Sequence, residues 1–158
     1  MDFDLQLPPM STLSARNHLV VAAGSPGAFG APCKFIYVGH TWDTVEAALS
    51  YTVAGDLIVA RRIKHGELVS NYTSLASNVR TGWSPMRLHA LHTIVLARFL
   101  ADDKARAWLL ETGDAMLLWV DPADGKLGCV AEGRVIIGCN EYGRVLMAVR
   151  RYLARDRR

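Results

Sequence analysis

Two carboxylates and three binding-type side chains are the candidates for chemistry in this chain: Glu46, Asp124, Trp83, Arg87 and Asn140. A carboxylate can orient or deprotonate water, or stabilise positive charge developing on a reacting carbon. Glu46 has a competing structural reading. It lies three residues after Asp43, a spacing that resembles a helix-capping arrangement. Asp124 stands in Pro-x-Asp-Gly, which is also a common turn former. Trp83 can stack on a flat ring or fill a core at a helix entry, and Arg87 can grip a phosphate in its planar fork or simply face solvent. Asn140 can cap the last helix or donate to a ligand. His89 and His92 are three apart, a spacing that brings two imidazoles together on a helix, but no third metal ligand accompanies them. The loop Gly24 to Gly30 lacks the Gly-Lys-Ser/Thr ending of a phosphate loop, and no nucleophile elbow occurs, so these glycines read as turn formers.

The elements that position these residues follow from periodicity. Residues 1–16 carry two adjacent prolines and a Ser/Thr cluster without a sustained period, and read as an N-terminal arm ahead of a domain over 17–158. His18 to Ala23 and Cys33 to Val38 are strand candidates separated by a Gly/Pro loop. Gly39 and His40 turn the chain into Trp42, Asp43 and a helix that runs to about Ala54, and a second helix is expected over about Asp56 to His65, where Leu57, Ile58 and Ile63 recur at helical spacing. Asn71 to Gly82 is a polar connection. The clearest helix follows, with Ser84 as its cap, Pro85 in its first turn, and a stripe of Leu88, Leu91, His92, Val95, Leu96 and Phe99. Asp102 or Asp103 starts another, carrying Ala105, Trp108 and Leu109 and stopping at Gly113. Ala115 to Val120 and Arg134 to Gly138 are strand candidates, and a final helix buries Val145, Leu146, Val149 and Leu153. The pattern is α+β, mostly helical around a small sheet, with neither internal repeats nor regular βαβ alternation.

Length and composition set the bounds. The chain has 158 residues, 51% of them apolar, enough for one core. No apolar run approaches the roughly 18 residues of a membrane span, and the acidic start lacks a signal pattern, so a soluble, non-secreted protein without a membrane partner is expected. The three cysteines, Cys33, Cys129 and Cys139, lack CxxC spacing and read as buried free thiols in a reducing compartment. The net charge of +3 concentrates in the basic C-terminus. Basic residues there complement a helix dipole, and the lack of interleaved aromatics argues against nucleic acid.

Several segments together resemble the NADAR family, also called YbiA-like. GHTWDTVEAAL (Gly39 to Leu49) looks like its Gly-x-x-Trp/Tyr-x-Thr-x-Glu-His signature, with Glu46 on the Glu that lines the nucleotide site. Trp83 and Arg87, followed by Arg98 and Phe99, match its Trp-x-x-x-Arg helix and later Lys-Phe pair. TGDAMLLWVDPADGKLG (Thr112 to Gly128) keeps Gly113, Asp114, Pro122, Asp124 and Gly128. Gly138, Asn140, Gly143, Leu146, Met147, Val149 and Arg150 match the closing signature closely. Family members hydrolyse N-glycosidic bonds in ADP-ribose derivatives or riboflavin-pathway intermediates. The resemblance implies a NADAR-like fold over about Gly39 to Leu153, Glu46 and Asp124 as carboxylates, Trp83, Arg87 and Asn140 in substrate binding, and neither metal nor redox cofactor. Departures fall where chemistry is done: the family's His lands on Ala47, its downstream Lys on Val53, a Glu on Trp119, a Ser on Asp121 and a Trp on Leu127, while the Ser-Asn-Phe loop falls near Ala28 to Gly30. Losing such polar groups removes orders of magnitude in rate. The expectation is therefore a divergent member, its hydrolase activity lost, serving as a binding or structural subunit of an assembly through its arm and basic C-terminus. Family genes also occur in phages, so the compartment is the cytoplasm or a virion. The alternative is an active N-glycosidase on an ADP-ribose-like ligand.

Overall fold

The computed structural model describes residues 17–54, 57–65, 83–122, 124–132 and 135–156. The arm and the Asn71 to Gly82 connection lie outside the described residues. In chain order the elements are β1 (His18–Val20), β2 (Phe35–Tyr37), β3 (His40–Trp42), α1 (Val45–Val53), α2 (Leu57–Lys64), α3 (Trp83–Ala101), α4 (Asp103–Glu111), β4 (Met116–Leu118), β5 (Val130–Glu132), β6 (Val135–Ile137) and α5 (Glu141–Arg155). This is the α+β, helix-dominated architecture expected from the sequence. The strands are three two-stranded pieces: β1 with β4 in parallel, and the β2–β3 and β5–β6 antiparallel pairs. The elements fall into two compact units, Phe29–Asp102 and the remainder of the chain.

In the unit Phe29–Asp102, α1 packs on α2 and α3, and α3 packs on β2. Its core gathers Phe35, Trp42, Val45, Leu49, Leu91, Ile94, Val95 and Phe99. Three details correct the sequence reading. His40 to Trp42 form a strand rather than only the exit of a turn: the chain makes the β2–β3 hairpin, in which Tyr37 pairs with His40 around Val38 and Gly39, both at positive φ (49° and 73°). The cap of α1 is Thr44 rather than Asp43, its hydroxyl accepting the Ala47 N–H at 3.1 Å. The helix α3 already includes Ser84 within its first turn instead of using it as a cap, and its buried face is centred on Leu91, Ile94, Val95, Arg98 and Phe99, while Leu88, His92 and Leu96 are half-buried. Ile94 and Arg98 complete that i, i+3, i+4 face.

The other unit is built on α5, which buries Tyr142, Val145, Leu146, Met147, Val149 and Leu153 and packs on β4 and α4. The closing signature explains this packing. A side chain at Gly143 would run into the Leu117 carbonyl, so only glycine lets α5 approach β4 so closely. Gly27 likewise lies against the Trp108 ring, where no Cβ fits. The Tyr142 hydroxyl donates to the Gly27 carbonyl at 2.7 Å, and its ring meets Trp119 edge-on at 5.5 Å. The strand β5 was not legible as such. It exists because β6 needs a partner, Val130 pairing with Ile137. Of the three cysteines, all free, Cys129 is buried, Cys33 is half-buried and Cys139 is exposed, so the expectation of buried thiols fails at Cys139.

Candidate functional site

Glu46 sits in the first turn of α1, where the orphan N–H groups of the helix start favour a carboxylate. With Thr44 as cap, Glu46 occupies the second helical position and Ala47 the third, so the capping-box geometry, which needs the acid at the third position, does not apply. The Glu46 backbone N–H instead donates to the Phe29 carbonyl at 3.3 Å. Its carboxylate is directed toward Gly30, with Oε2 3.7 Å from the position a Cβ of that residue would take. The half-buried carboxylate therefore borders the Gly/Pro loop rather than closing its own helix end.

Two further candidates share this unit. Arg87 is half-buried on the second turn of α3. Trp83 is the first residue of α3, and the role expected of its indole lies outside what the structure describes. Val53, the position on which the resemblance places a lysine, closes α1 as a core residue at 2% exposure. Ala47 is half-buried. A feature that sequence reasoning missed is the aromatic group His40, Trp42 and Tyr51: Trp42 and Tyr51 centroids are 4.9 Å apart, and His40 meets Tyr51 edge-on at 5.8 Å. The period-2 spacing of His40 and Trp42 was the available signal. The pair His89 and His92 also lies here. Burial pushes the His92 imidazole down, and the neighbouring His89 adds to the effect. Among the described residues no group of three or more His, Cys, Asp or Glu side chains gathers as a metal-ligand set.

Asp124 and Asn140 belong to the other unit and are engaged with main chain. One Asp124 carboxylate oxygen accepts the N–H groups of Lys126 and Leu127, both at 2.9 Å, and the Asp124 carbonyl accepts the Gly128 N–H at 2.9 Å. This turn in turn supplies acceptors to the start of α5: the N–H groups of Asn140, Glu141 and Tyr142 donate to the carbonyls of Gly128, Lys126 and Leu127. Asn140 is fully buried in the left-handed region and makes no side-chain cap bond. Its amide instead clamps β4, accepting the Trp119 N–H and donating to the Leu117 carbonyl, each at 2.9 Å. Of the residues expected to act together, Glu46 and Arg87 are thus held on α1 and α3 of one unit, while Asp124 and Asn140 build the turn, strand and helix start of the other. Lys64 and Lys126, two lysines that could supply an amine from elsewhere, are exposed.

A helical α+β scaffold with a glutamate at the start of its first helix and a Gly-x-Asn-x-x-Gly helix start is the arrangement of a NADAR domain, and the NADAR domain model matches residues 13–154. The chain belongs to the NADAR family. Among its relatives is a Nostoc punctiforme protein named N-glycosidase Npun_R5314, 35% identical over 72 residues, which are 46% of this chain and 44% of that protein. The match therefore spans less than half the length of that relative. Among solved structures, the NMR structure of the Escherichia coli protein YbiA superposes with a TM-score of 0.72 over 97% of this chain and 94% of that one, at 21% identity. At that identity the likeness establishes the fold. Among the described residues no helix is long and apolar enough to cross a membrane.

Proposed function

We propose that this NADAR domain binds an ADP-ribose-type nucleotide or a related N-riboside beside Glu46, has lost the family's hydrolysis, and works as a binding or structural subunit of a larger assembly, a phage particle being one setting. The observation that carries this reading is Val53. Its isopropyl group is packed into the core where the resemblance places an amine, and an alkyl side chain can form neither a Schiff base nor a charge-stabilising contact. The burial of Phe29 and Leu127, at or near positions where the family has polar or site-lining residues, agrees with it.

A second reading, an active N-glycosidase on the same substrate class, is favoured by the placement of Glu46 and by the name of the Nostoc relative. A carboxylate at that position would orient the attacking water or stabilise the oxocarbenium-like transition state at the ribose C1. The test is calorimetric titration of the chain with ADP-ribose, followed by an assay for released free base from N-ribosides, with Glu46→Gln alongside. Binding without turnover supports the first reading. Turnover abolished by Glu46→Gln establishes the second, and no binding by folded protein overturns both for this ligand class.

A further inference from the structure

Arg98 lies in the last turn of α3, on its buried face, with 1% of its surface exposed. Its guanidinium is a planar cation with five N–H donors and no acceptor. Among the described residues its Nε and Nη1 find no hydrogen-bond acceptor, and its guanidinium carbon stands over the Phe99 ring, 4.7 Å from the centroid. A cation–π contact compensates a buried charge only in part. The thiol of Cys33 reaches the Arg98 carbonyl at 3.9 Å and feels the guanidinium charge, but burial pushes that thiol up, with Asp102 opposing its ionisation as well. Cys33 therefore stays neutral and supplies no counter-ion. Buried N–H groups on a permanent cation call for an anionic acceptor, and the planar, delocalised guanidinium suits an oxyanion.

We propose that Arg98 is the centre of an internal oxyanion site that takes a phosphoryl group. Two sources share this chemistry: free phosphate or pyrophosphate held as a structural ion, and the diphosphate of the nucleotide class proposed above. Only the second source rests on that functional reading.

The test is thermal denaturation of the full chain after exhaustive dialysis, titrated with sodium phosphate, with pyrophosphate and with ADP-ribose, against sodium chloride at matched ionic strength, for wild type, Arg98→Met and Arg98→Lys. The expected result is a rise in the wild-type midpoint of about 5–10 °C at a hundredfold excess over Kd. Chloride should give no such rise, Arg98→Met a flat response, and Arg98→Lys a reduced one. A shift with ADP-ribose that needs Arg98 and is competed by phosphate assigns the site to the nucleotide. A shift with phosphate alone, with ADP-ribose binding calorimetrically the same in wild type and Arg98→Met, assigns it to a structural ion and leaves the role of Glu46 standing. A flat wild-type response to all three oxyanions overturns the proposal, as does an equal shift in Arg98→Met. If Arg98→Met does not fold, the wild-type comparison of phosphate with chloride decides.

Discussion

Replacing Asn140 separates a fold-holding role from a ligand-binding one. Its amide satisfies the Leu117 carbonyl in a fully buried bond and the Trp119 N–H in a partly buried one. Truncation to alanine leaves both main-chain groups without that partner, at about 1–3 kcal/mol for a buried group and the low end of that range for the partly buried one. The backbone at φ 48° adds roughly 1 kcal/mol, because asparagine tolerates the left-handed region and alanine does not. The sum is about 3–5 kcal/mol, a large share of the roughly 5–15 kcal/mol that holds a domain together. Asn140→Gly removes the same two bonds but relieves the backbone, so it should be less damaging than Asn140→Ala by about 1 kcal/mol. Urea denaturation followed by tryptophan fluorescence measures both. Whatever fraction of the variant remains folded should bind ADP-ribose as the wild type does. The reasoning is refuted if Asn140→Ala costs under about 1 kcal/mol, or if it leaves stability intact while removing ligand binding.

Three further outcomes follow from local geometry. Val38 is a β-branched residue at φ 49° in a two-residue hairpin turn and is 65% exposed, so Val38→Asn or Val38→Gly should stabilise the chain by about 1 kcal/mol, read as a higher denaturation midpoint. Gly27→Ala drives a methyl into the Trp108 ring and should cost about 1–3 kcal/mol; in a Trp108→Leu background most of that cost should vanish, and simple additivity in the double-mutant cycle would contradict the packing described. His92 is held below its ordinary value by burial, so the folded state binds fewer protons than the unfolded chain between the depressed value and about 6.5. Stability should therefore be full above about pH 6.5 and fall as the pH drops through that window, and His92→Gln should flatten this part of the profile.

The helices were legible because each carries an apolar face at helical spacing, and α5 could be read down to its buried residues. The short strands were not. β3 and β5 are three residues long, and each forms only because a hairpin partner is available, a tertiary cause that local propensity does not record. The cap of α1 was misplaced by one residue because Asp43 and Thr44 are both good capping types, and only the backbone at Thr44, extended at φ −146°, decides between them. The α3 stripe read from the sequence omits Arg98, since a fully buried arginine is a rare event that composition cannot anticipate.

The motifs that match the family best are those whose side chains bond to main chain. Asp124 shapes a turn, that turn terminates the N–H groups of α5, Asn140 clamps β4, and Gly143 admits the close approach of helix to strand. These residues hold the fold of this chain whether or not it catalyses anything, so their agreement with the family carries information about architecture and little about turnover. The reading of turnover proposed above rests on Glu46 and Val53, the second and the last residue of the same helix. Glu46 directs its carboxylate toward the loop, and Val53 is packed into the core where the resemblance places an amine. The proposed loss of turnover with retained binding is resolved only when the hydrolysis assay is read beside the binding measurement rather than in its place.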